Sequence, residues 1–90
     1  MKKFDLGQIV YTPGAENELQ ESGQEVTFFL QKHAWGDWGE VDAEDKASND
    51  EALKEGSRIL SAYRTLKGEK IWVITEADRS VTTLLLPEEY

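Results

Sequence analysis

The chain contains no cysteine. Disulfide staples, thiolate zinc sites and thiol nucleophiles are therefore excluded. It has a single histidine, so a transition-metal site would have to lean on carboxylates. No EF-hand spacing rescues that idea, because a loop opening at Asp37 places Gly39 and Val41 where ligands are needed. Neither a metal nor a cofactor is expected, and no Gly-rich phosphate loop precedes a Lys-Ser or Lys-Thr pair.

Positive charge is also scarce. Ten Lys and Arg stand against eighteen Asp and Glu, a net charge of -8. The basic footprint of a nucleic-acid binder is missing. No apolar run approaches the roughly 20 residues of a membrane span, and no apolar stretch follows Lys2-Lys3 to make a signal peptide. The expected address is the cytoplasm, with no membrane partner.

What is present suffices for one domain over residues 1–90. Hydrophobic residues make up 39% of the chain, with three each of Trp, Tyr and Phe, which is too much for a disordered segment and enough for one modest core. A core this small leaves room for a homodimer to supplement it. The charge is unevenly placed. Residues 37–55 carry eight acids against Lys46 and Lys54, and residues 56–80 carry five bases against three acids. The acidic segment reads either as a solvated face, the favoured reading, or as a surface for a basic partner.

The expected fold class is α+β: an N-terminal strand, two or three short helices, then a three-stranded antiparallel β-meander. Leu6–Thr12 reads as the first strand, ended by Pro13-Gly14. A short helix over Ala15–Glu21 stops at Gly23. From Gln24 the spacing turns helical, with Val26, Phe29, Leu30 and His33 on one face and an end near Gly36. Ser48 and Glu51 have the spacing of a capping box for a further helix that stops at Gly56. Residues 59–66, 71–75 and 81–86 read as strands joined by short turns. Both faces of the last two strands look apolar, so either helices cover both or a second copy covers one.

Three features are candidates for chemistry. His33, followed by Asp37 and Asp42, has the composition of a general acid or base oriented by a carboxylate. The structural alternative, a core histidine satisfied by a hydrogen bond, is favoured. The loop Trp35-Gly36-Asp37-Trp38-Gly39 is either a stacking platform or a pair of indoles that plug the core, the latter favoured. The turn holding Glu76, Asp78 and Arg79, with hydroxyls on the strand behind, is either an anion-binding tip or a solvated turn with a local ion pair.

Lys32–Gly39, Glu44-Asp45, Asn49, Ala52-Leu53, Ser61–Tyr63, Ile71–Ser80 and Leu85–Tyr90 together resemble a family of short bacterial proteins carried on plasmids and other mobile elements. Its members are named plasmid-related or type I restriction methylation subunit. The resemblance covers nearly the whole chain and implies no established activity. A methyltransferase needs a cofactor domain of about twice this length or more, so the restriction name implies no methylation here.

A helix ending in His before an antiparallel meander also resembles the layout of barnase–RelE-type ribonucleases. That resemblance implies His33 as acid or base, Arg58, Arg64 or Arg79 stabilising charge, and Tyr63 or Thr82 positioning the phosphate. Two expectations follow. The preferred one is a non-catalytic interaction module meeting an unknown protein partner through Trp35, Asp37, Trp38, Glu76 or Asp78. The other is a small nuclease, the one case in which nucleic acid is a partner. Whether the chain is an enzyme turns on the surroundings of His33.

Overall fold

Two of the three helices in this chain are opened by short polar caps. The computed structural model describes Met1–Tyr90. Its elements run β1 (Gln8–Tyr11), α1 (Pro13–Ser22), α2 (Val26–Ala34), α3 (Ala43–Glu55), β2 (Ile59–Arg64), β3 (Lys70–Thr75), β4 (Val81–Leu85) and a closing 3-10 turn over Pro87–Glu89. The α+β class is as expected, with three helices against one sheet.

Pro13 does not end β1 in a turn with Gly14. It opens α1, where a missing N–H costs nothing and its fixed φ suits the helix. Thr12 caps that helix by accepting from the Ala15 amide at 3.2 Å. The Thr12 hydroxyl in turn donates to Glu89 Oε1 at 2.5 Å, and the Gly14 amide donates to Oε2 at 3.1 Å. These contacts tie the C-terminal turn to the start of α1, and the Thr12 hydroxyl holds the Glu89 carboxyl below its usual range.

The α2 periodicity is realised, for Phe29, Leu30 and His33 are all buried. Ser48 and Glu51 do not open α3. Asp42 does, accepting from the Asp45 amide at 2.8 Å, and both box residues fall mid-helix and exposed. An Asp cap followed by Glu44 and Asp45 suits the positive end of a helix better than an interior Ser. Gly56 closes α3 in the left-handed region, φ +75°.

The meander pairs as expected, β2 with β3 and β3 with β4, both antiparallel. Its strands stop earlier than the apolar runs do, at Arg64 and Leu85. The sheet has a fourth member that the order of elements did not disclose. β1 lies parallel to β4, giving the order β1-β4-β3-β2.

The strand registers put Ile59, Ser61, Tyr63, Ile71, Val73, Thr75, Thr82 and Leu84 on one face. Here α1 and α2 supply Ala15, Leu19, Phe29 and Leu30 to the main cluster. A second cluster joins Trp38 and Ala52 to Ile59 at the β2 end. Each large side chain so buried contributes roughly 1.5–3 kcal/mol. On the opposite face Ala62, Ile74 and Leu85 are also buried, and the closing 3-10 turn packs against β3. That face carries Leu60, Trp72, Ile74, Thr83 and Leu85. The Tyr90 ring packs edge-on against Trp72, centroids 5.7 Å apart, with the Arg58 guanidinium 5.6 Å over the Tyr90 ring.

The β2 edge is closed by side-chain and loop contacts. Asn49, almost fully buried on α3, donates to the Leu60 carbonyl at 2.6 Å and accepts from the Leu60 amide at 3.1 Å. Replacing Asn49 with Ala leaves both backbone groups without a partner in a water-poor site. The expected cost is about 2–3 kcal/mol, read as a lower urea midpoint with an unchanged m-value. Full stability in that variant would mean that water takes over both bonds.

Candidate functional site

His33 sits in the last turn of α2 with its ring pointed into the sheet, and it is wholly inaccessible to solvent. Both nitrogens are used. Nδ1 lies 2.5 Å from Ser61 Oγ and Nε2 lies 2.9 Å from Thr75 Oγ1. Thr75 Oγ1 is 2.7 Å from Thr82 Oγ1, whose hydroxyl donates to the Leu6 carbonyl at 2.7 Å.

The last bond sets the direction of the whole chain. Thr82 spends its only proton on Leu6, so Thr75 must donate to Thr82 and accept from His33 Nε2–H. His33 Nδ1 then accepts from Ser61. Every hydroxyl proton and both ring nitrogens in the row are matched by one neutral tautomer of the ring. Phe4 and Trp38 close the site edge-on, with centroids 5.2 and 6.0 Å from the imidazole. Burial, helped by the positive charge of Arg79, drives the His33 pKa down to about 3. At neutral pH the ring is uncharged, and with both nitrogens engaged and no solvent access it cannot reach a substrate to exchange a proton.

The expected carboxylate partners are elsewhere. Asp37 accepts from the Gly39 amide at 3.2 Å and lies 3.6 Å from Lys32 Nζ, while Asp42 caps α3. The other residues of the nuclease layout are also dispersed. Tyr63 donates its hydroxyl to the Asp37 carbonyl at 2.5 Å, and burial pushes its pKa up. Arg79 donates to the Ser57 carbonyl at 2.6 Å and to those of Ala52 and Glu76 at 3.1 Å, with its guanidinium 5.5 Å over the Phe4 ring. It holds the end of α3 against the β3–β4 turn. Arg58 lies over Tyr90. Arg64 pairs with Glu40 at 2.9 Å. Of the six, only His33 and Thr82 belong to one hydrogen-bonded row, and Thr75 joins them. Five shallow surface cavities are lined by other residues than His33, Arg58, Arg79 and Thr82.

The two indoles of the glycine loop have separate fates. Trp38 is 2% exposed and donates Nε1–H to Asp50 Oδ1 at 3.1 Å. Trp35, the C-cap of α2, is 59% exposed. It shares a shallow cavity of about 220 Å³ with Phe28, Lys32 and Asp37, and Phe28 is itself 50% exposed. Lys32 Nζ lies 5.3 Å from the Phe28 ring centroid, a cation–π contact on the same face. Phe28 was missed at the sequence level. The available signal was its seven-residue spacing to Trp35, which puts both on one side of a helix opposite the Phe29–His33 face.

At the β3–β4 turn, Asp78 accepts from the Ser80 amide and hydroxyl at 3.0 and 2.6 Å, and the Ser80 hydroxyl holds its carboxyl low. Glu76 contributes its carbonyl to Arg79 while its side chain is exposed. These acids build the turn. No group of three or more His, Asp or Glu side chains is placed to hold a metal ion, and no helix is long and apolar enough to cross a membrane. Comparison with family models, with curated proteins and with solved structures finds no match to this chain.

Proposed function

We propose that this chain is a non-catalytic protein-interaction module of the mobile-element family it resembles, and that it meets its partner through Phe28 and Trp35. The observation that carries this reading is the exposure of two large aromatics on the outer side of α2, 50% and 59%, around one shallow cavity. Side chains of this kind are the usual anchors of protein interfaces, where each contributes about 2 kcal/mol or more once desolvated. Lys32 and Asp37 at the margin provide a polar rim. The neutral, sealed state of the only histidine supports a role without proton transfer.

The test compares proteins retained from source-cell extract by immobilised wild type and by the Phe28→Ala/Trp35→Ala double variant. Both substitutions are at exposed positions, so the melting temperature should hold within about 2 °C. A partner kept by the wild type and lost at least about tenfold by the variant supports the reading. Equal retention by both proteins overturns it. So does cleavage of RNA by the wild type that disappears in His33→Gln, which is the behaviour of the ribonuclease alternative.

A further inference from the structure

The two edges of the sheet are unlike. On β2, Asn49 occupies both backbone groups of Leu60, the Ala62 amide donates to the Trp38 carbonyl at 3.0 Å, and the Ala62 carbonyl accepts from the Glu40 amide at 2.6 Å. That edge has no room for a further strand.

β1 forms the other edge. The Gln8 and Thr12 amides turn inward to the carbonyls of Ser80 and Leu84, at 2.9 and 3.0 Å. Alternation along the strand therefore points the N–H and C=O of Ile9 and Tyr11 away from the sheet. The four-residue segment Gln8-Ile9-Val10-Tyr11 contains no lysine and no proline, and no loop or turn backbone hydrogen-bonds to Ile9 or Tyr11. Val10 and Tyr11 are 37% and 47% exposed.

Beside this edge two shallow cavities, about 390 and 280 Å³, meet at Tyr11. Leu19 and Val26 give the larger one an apolar floor, and Glu16 and Glu25 stand in its wall. No lysine or arginine lines either cavity.

We propose that the open edge of β1 takes up an extended, basic peptide segment of another protein as a fifth strand. The backbone of that segment pairs with Ile9 and Tyr11. Its alternate side chains enter the groove at Tyr11, where lysine or arginine meets Glu16 and Glu25. Charge argues against a second copy as the occupant. Each chain carries a net charge of -8, and the groove beside the edge is itself acidic, so two copies would oppose like charges. This surface does not include Phe28 or Trp35, and the two interfaces can succeed or fail separately.

The probe is a phage-displayed library of unstructured peptides selected on the whole wild-type protein, followed by titration calorimetry at low and high salt. The selected peptides should alternate β-branched or aromatic residues with Lys or Arg and bind less tightly as salt rises. Ile9→Pro removes one outward N–H while sparing the inward bonds, and proline is tolerated on an edge strand in that orientation. It should weaken binding about tenfold or more. Glu16→Lys with Glu25→Lys, both at exposed positions, should weaken it severalfold and abolish the salt dependence.

A second measurement needs no variant: the Ile9 and Tyr11 amide protons should exchange more slowly when the peptide is bound. Failure to select any basic peptide, or amide exchange at Ile9 and Tyr11 unchanged on binding, overturns the proposal. A concentration-dependent dimer in sedimentation that Ile9→Pro dissolves would also overturn it, assigning the edge to a second copy.

Discussion

Acidification is expected to weaken this fold by several kcal/mol through His33 alone. An unfolded histidine titrates near 6.5, whereas burial and the charge of Arg79 bring the folded value to about 3. Between those two values the unfolded chain binds a proton that the folded chain refuses. Proton uptake therefore favours unfolding, and stability falls as pH drops from about 6.5 toward about 3. At 1.36 kcal/mol per pKa unit, the whole window is equivalent to roughly 4–5 kcal/mol. A domain of this size has roughly 5–13 kcal/mol in total. The carboxyls of Asp78 and Glu89, whose folded values are also depressed, add acid sensitivity mainly below the ordinary carboxylate range near about 4.

The interval between about pH 6.5 and 4.5 thus reports on His33. Urea midpoints measured across it should fall steadily for the wild type. In His33→Gln, whose amide can still donate toward Thr75 and accept from Ser61, the baseline should be about 1–2 kcal/mol lower and the slope nearly flat. Equal slopes in the two proteins would mean that the ring gains a proton without disturbing the row of hydroxyls.

Gly39→Ala is expected to cost about 3–5 kcal/mol, or to prevent folding outright. Gly39 has φ +75°, and a Cβ there would stand 2.0 Å from the Ala62 carbonyl oxygen and 2.6 Å from Tyr63 Cδ1. The first of these is a backbone atom of β2, so no rotamer change relieves the contact. The segment would have to lift off, giving up the Glu40–Ala62 and Ala62–Trp38 bonds and opening the site that encloses Trp38. Gly23→Ala is the control. It has nearly the same φ, +68°, with nothing within 4 Å of the added carbon, so only the left-handed strain of about 1–2 kcal/mol remains. Thermal unfolding of the two variants separates strain from collision. Similar losses for both would show that the loop moves aside at little cost.

Features governed by neighbours a few residues apart were legible before the structure. The α2 stripe through Phe29, Leu30 and His33, the glycine stops at 23 and 56, and the meander with its short turns all follow from periodicity and turn chemistry. Errors arose where two local signals competed. Ser48 and Glu51 had the spacing of a cap, but Asp42, with two further acids behind it, began the helix first. Pro13 looked like the end of a strand and equally suited the start of a helix. In the candidate site, the favoured structural reading of His33 agrees with its buried row of hydroxyls. The exposed partner of Trp35 went unseen because the periodicity draws attention to the inward face through Phe29, and Phe28 lies on the other side of the helix.

By itself the sequence determined an α+β domain, its acidic character, the helical face that faces inward and the exclusion of thiol chemistry. Tertiary structure decided the rest. It laid β1 parallel to β4, joined Thr82 to Leu6 across 76 residues of chain, and sent Trp38 inward while leaving Trp35 outside. The reason is physical. Caps and periodicity act within one or two turns of backbone, whereas depth of burial and strand partnership depend on which distant segments arrive. Two tryptophans in one five-residue loop carry the same local signals, and only the approach of α3 and β2 distinguishes them.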